Sequence, residues 1–119
     1  MTNYSPMTEF LKEIEKQLSP LGYPIYYRLP DSDVEEPFVL IGNHSDDNSR
    51  SAKNNNLIID TSLQIDIYMP DVGRLELEEV VHQVRMLLGR RSVNSSITPD
   101  NTIGRKTFHI TFQVNDLVI

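Results

Sequence analysis

Cysteine is absent from the 119 residues, which excludes a disulfide framework, a thiolate metal site and a cysteine nucleophile. A chain of this kind is expected in reducing cytoplasm or in a particle assembled there. No apolar run approaches the roughly 20 residues that a membrane span needs. The polar start MTNYSPMTEF does not resemble a signal peptide. Positive charge is also scarce: 11 Lys and Arg stand against 17 Asp and Glu, for a net charge of −6. That balance argues against a protein whose main work is gripping nucleic acid, which needs a basic face. The five glycines are dispersed and form no phosphate-cradling loop, and no serine lies in a nucleophile elbow. No enzyme, cofactor or metal site is expected.

What the chain does have is ordinary for a small folded domain, with 39% hydrophobic and 24% charged residues. Its length fits one domain with a modest core. Ser5-Pro6 is a good helix start, a serine cap followed by proline at the first helical position. Met7, Phe10, Leu11, Ile14 and Leu18 then recur at helical spacing, and Ser19-Pro20 with Gly22 closes the helix. Ile25-Tyr26-Tyr27 reads as a short strand, and PFVLIG at 37–42 as a compact apolar one. The stretch 43–56, NHSDDNSRSAKNNN, holds Ala52 as its one apolar residue. It buries too little surface to offset its ordering cost, and is expected to be a long mobile hairpin tip.

The clearest strand follows. Ile59, Thr61, Leu63, Ile65, Ile67 and Met69 alternate with Asp60, Ser62, Gln64, Asp66 and Tyr68. Pro70 ends it, and Asp71 is the expected cap of a second helix. Leu77, Val80, Val81, Val84, Leu87 and Leu88 are that helix's apolar stripe, and Gly89 its C-terminal cap. A polar connection over 92–104, with at most a weak strand in it, leads to a last strand. There Phe108, Ile110, Phe112 and Val114 alternate with polar neighbours. These elements predict an α+β fold: one mostly antiparallel sheet, two helices on one face, and a long polar hairpin loop.

Candidate chemistry is thin. His44 with Asp46 and Asp47 can be drawn as an oxygen-rich cation site, yet it lacks the spacing and fixing glycine of a calcium loop. His82 beside the helix stripe and His109 on the polar side of the last strand read as partly buried or surface residues. The carboxylates Glu76, Glu78 and Glu79 at a helix start read as dipole compensation. Charge is unevenly placed, however. Residues 1–84 hold 15 acids and 6 bases, whereas 85–106 hold Arg85, Arg90, Arg91, Arg105 and Lys106 against Asp100 alone. A polarised subunit of this sort can associate head-to-tail or dock on a partner of opposite sign.

A resemblance adds to this. PFVLIG at 37–42, the polar excursion after it, LQIDIYMP at 63–70 and LELEEVVHQVRMLLGRR at 75–91 together resemble the tail-terminator and tail-to-head joining proteins of long-tailed bacteriophages, especially those of Gram-positive hosts. Pro37, Phe38, Val39 and Gly42 match that family's proline-led strand, Asp66, Ile67 and Tyr68 its apolar–Asp–apolar–aromatic strand, and Leu87, Leu88 and Gly89 its helix end. The resemblance implies a homo-oligomeric ring, usually hexameric, at the head-proximal end of the virion tail. Its partners would be the major tail tube protein and the head-completion or connector protein, with DNA passing through. It also implies assembly contacts, for which the candidates are His44, Asp46, Asp47, Arg50 and Lys53 in the excursion, Asp66 and Tyr68 in the strand, and Arg90 and Arg91 at the helix end. A connector-side neck or minor tail subunit is the nearest alternative. A small cytoplasmic binding or regulatory domain, with the hydrophilic loop as its contact site, is an alternative of another class. Self-association discriminates the virion readings from that last one.

Overall fold

The computed structural model describes residues 4–31, 33–49, 58–100 and 106–118. Helix α1 spans Pro6–Leu18, with the Ser5 Oγ accepting a hydrogen bond from the Thr8 N–H at 3.3 Å. A short 3-10 turn, Ser19–Leu21, closes on Gly22, whose φ of 78° is the left-handed conformation that favours glycine. Strand β1 (Ile25–Tyr26) leads to β2 (Phe38–Asp47) and β3 (Ile59–Pro70). Helix α2 (Arg74–Leu88), β4 (Ser92–Asp100) and β5 (Thr107–Val118) complete the chain. The strands form one sheet in the order β1-β2-β3-β5-β4, with β1 parallel to β2 and every other pair antiparallel. The expected α+β architecture is therefore present, as a mixed sheet with two helices.

Strand parity decides what lies where. Val39, Ile41, Leu63, Ile65, Ile67, Ile110, Phe112 and Val114 share one face by register and are fully or almost fully buried. Phe10, Ile14 and Leu18 of α1 and Leu77, Val80, Val81, Val84 and Leu88 of α2 close over them as one continuous core. Met7 and Leu11 are only partly buried, at the margin of that cluster.

Three expectations change. Asp71 does not cap α2: the cap position is Gly73, without a side-chain hydrogen bond. The helix starts at Arg74, so Asp71 lies outside it and meets Lys106 at 3.9 Å instead. The polar stretch after α2 is not mere connection. Residues 92–100 form a nine-residue edge strand, registered along β5 from Ser92 opposite Asn115 to Asp100 opposite Thr107. Backbone pairing needs no apolar run, and an edge strand buries little, which is why composition concealed it.

The third change concerns 43–56. Strand β2 does not stop at Gly42 but runs on to Asp47, paired residue for residue from His44 opposite Leu63 to Asp47 opposite Asp60. His44, Asp46 and Asp47 are strand residues, not loop residues. Gly42 and Asn43 together face Gln64, a bulge that adds one residue and inverts the parity of everything after it. Close approach favours glycine there, since a Cβ on Gly42 would sit 3.2 Å from the Gln64 carbonyl oxygen. Arg50 and Lys53, and the rest of the excursion from 50 to 56, lie outside the described residues.

Candidate functional site

The face of the sheet away from the helices carries a polar network centred on one carboxylate. Asp66 lies at its centre and is only 4% exposed. Its Oδ1 accepts from His109 Nε2 at 2.7 Å and from the Thr111 hydroxyl at 3.2 Å, and both its oxygens lie 3.1–3.2 Å from the Gln64 amide nitrogen. Sequence placed Asp66 and His109 on polar faces of two strands. The register brings them together, because Asp66 pairs with Thr111 and Tyr68 with His109. Among the described residues no buried side-chain polar atom lacks a partner, so this carboxylate is satisfied inside the sheet rather than waiting for a ligand.

One row along, aromatic rings span four strands. Tyr68 stacks on His109 at 4.4 Å and on Phe38 at 4.9 Å, with planes 15° and 16° apart, and Tyr26 meets Phe38 edge-on at 5.8 Å. Phe38, Tyr68 and His109 use their faces on one another. A single-strand nucleic-acid platform must offer ring faces to bases, and Tyr68 has a ring stacked on each of its faces. Burial first, then the negative charges of Asp66 and Asp100, raises the Tyr68 hydroxyl above its ordinary pKa of 10.0. Tyr68 is half-buried in the sheet.

At the far end of the sheet the bulge turns His44 and Asp46 toward the helix side. His44 Nδ1 lies 2.8 Å from Asp46 Oδ1, which also accepts from the Thr61 hydroxyl at 2.7 Å. The Thr61 bond is the largest cause that holds the Asp46 carboxyl below its ordinary 3.8, with His44 adding to it against some desolvation. A depressed carboxylate stabilises the fold fully above 3.8, and that contribution disappears as pH falls through the lower, folded value. Thr61→Val should therefore move the Asp46 titration up toward 3.8, followed by NMR of its carboxyl carbon; an unmoved midpoint would remove Thr61 as the cause. Among the described residues no group of three or more His, Asp and Glu is placed to hold a metal ion.

The basic stretch divides into internal and external cations. Arg91 is no external contact: its side chain is 14% exposed, and it donates to Asp116 at 2.8 Å, to Gln17 and to the Leu88 carbonyl at 3.2 Å. It also lies 3.7 Å from Glu13, and so ties α1, the end of α2 and β5 together. Arg85 is likewise engaged, donating to the Val93 carbonyl and the Ser95 hydroxyl at 2.8 Å each, which pins α2 to the edge strand. Arg90, exposed in the turn after α2, makes no ion pair among the described residues. Neither clamp was legible beforehand, because a run of arginines carries no sign of which ones find carboxylates across the fold.

Between α2 and β4 runs a shallow groove of about 480 Å³, whose apolar lining includes Leu77, Val81, Ile97 and Phe108. Leu75 and Met86, 81% and 69% exposed, project from the outer side of α2. No known protein family matches the chain, and no curated protein is significantly similar to it in sequence.

Proposed function

We propose that the chain is a structural virion subunit, a tail terminator of a long-tailed phage that assembles into a ring, caps the tail tube and joins it to the head connector. The observation that carries this reading beyond the family resemblance is the division of the two sheet faces. Both helices lie on one face, with Arg74, Arg85 and Arg91 on that side. The described strand residues of the open face include Asp47, Asp60, Asp66 and Asp100 but no lysine or arginine. A sheet of this kind suits the wall of a conduit for DNA, because an acidic, hydrophilic wall repels phosphate and lets the duplex slide. The stacked ring faces and the internally satisfied Asp66 point the same way, since neither offers a grip on bases.

The tube protein and the connector protein would then dock on the two ends of the ring, where the strand ends and turns lie. In negative-stain images the purified protein should give annular particles with a central opening, and it should fail to retain duplex DNA on a filter at low ionic strength. Tight, salt-sensitive duplex binding would contradict a repelling lumen.

A further inference from the structure

We infer that neighbouring subunits join through the two open edges of the sheet, β4 of one copy pairing antiparallel with the 43–47 half of β2 in the next. This rests on the ring reading above and names the surfaces that would close it. Strand β1 covers β2 at Val39 and Leu40, so among the described residues the far half of β2 has no strand on its outer side. Strand β4 is the other edge. The edges differ, so the contact is heterologous, the kind that closes into a ring when the rotation permits.

Direction and level both agree with closure. Ser45, Ser62, Asn115 and Ser92 form one row across the sheet. In a closed ring without rise, residues that meet across an interface lie at the same level along the axis. Ser92 of one copy therefore meets Ser45 of the next, and both point to the open face. Strand β2 runs toward this end of the sheet and β4 runs away from it, so rotation about an axis along the strands makes the new pair antiparallel. Beyond that row the register continues to Asp47 on one edge and to Arg90 on the other. Both are exposed, and their charges are opposite. Pro99 has no N–H to give and ends the usable edge at the opposite end. In the separate subunit Arg85 lies over the Val93 carbonyl, a charged guard of the sort that keeps a free edge from indiscriminate pairing.

Charge reversal tests this directly. Arg90→Glu and Asp47→Lys should each abolish assembly of a protein whose wild type forms rings. Mixed together they should assemble again, because each supplies the edge that the other has lost and the reversed edges suit one another. As the chain has no cysteine, Ser45→Cys with Ser92→Cys in one chain should give a ladder of covalent oligomers on a non-reducing gel, and each single variant should stay monomeric there. Rings from the wild type together with rings from both charge variants and no covalent ladder would overturn the edge pairing while leaving the ring reading intact. A wild type that forms no ring would end both.

Discussion

Phe112→Ala is expected to destabilise the protein by about 3–5 kcal/mol, the usual cost of removing a fully buried aromatic ring and leaving its space unfilled. Phe112 has no exposed surface, sits on the interior strand β5 opposite Ile65 and Ser95, and faces the layer formed by both helices. One small domain has no second core to compensate, so a thermal melt should fall by roughly 15 °C at this chain length. Phe108, four residues earlier on the same face by register but only partly buried, gives the internal comparison: Phe108→Ala should cost distinctly less. Equal losses at the two positions would mean that the helices do not close over the sheet as described.

Asp66→Ala should be nearly as damaging for a different reason, about 2–4 kcal/mol, because three donors lose their acceptor at once in a place where water has poor access. His109, Thr111 and Gln64 all converge on this one carboxylate. Asp66→Asn keeps the shape and one acceptor oxygen and should lose about half as much. A second readout separates this network from simple loss of packing. The charge of Asp66 is one of the causes that raise the Tyr68 hydroxyl above 10.0, so in either variant a spectrophotometric titration of the tyrosines should show that group moving down, though not all the way, because burial remains. If the melts fall but the tyrosine titration does not move, the negative charge of Asp66 is not acting on Tyr68.

Periodicity made the two helices and the strands at 59–69 and 108–114 legible, since each buries a stripe of large apolar side chains and leaves polar residues opposite. The edge strand over 92–100 was hard to read for the converse reason. Val93 and Ile97 are its sole large inward residues, and its stability comes from backbone bonds to β5 that leave no trace in composition. The continuation of β2 was concealed in another way. A two-residue bulge at Gly42 and Asn43 breaks the alternation, so polar residues 43–47 look like the start of a loop when they are the second half of a strand. The candidate site shows the same limit. Asp66 and Tyr68 were placed on the right strand and face, but the partner His109 is 43 residues away and only the register reveals the contact. Arg91 looked like an external cation at a helix end. Its bonds to Glu13 and Gln17 of α1 and to Asp116 of β5 come from two distant elements that no local pattern connects.

Among the described residues, the Asp47 edge, the Arg90 turn and the outer side of β4 are the surfaces on which the proposed assembly rests. The most direct test of the whole account is the mass of the wild-type protein in solution, measured by light scattering over a wide concentration range. A closed ring predicts a discrete species at a fixed whole-number multiple of 13.7 kDa, six being the expected one, that does not grow further as concentration rises. A species of 13.7 kDa alone at the highest soluble concentration, or open-ended growth without a limiting size, would contradict it.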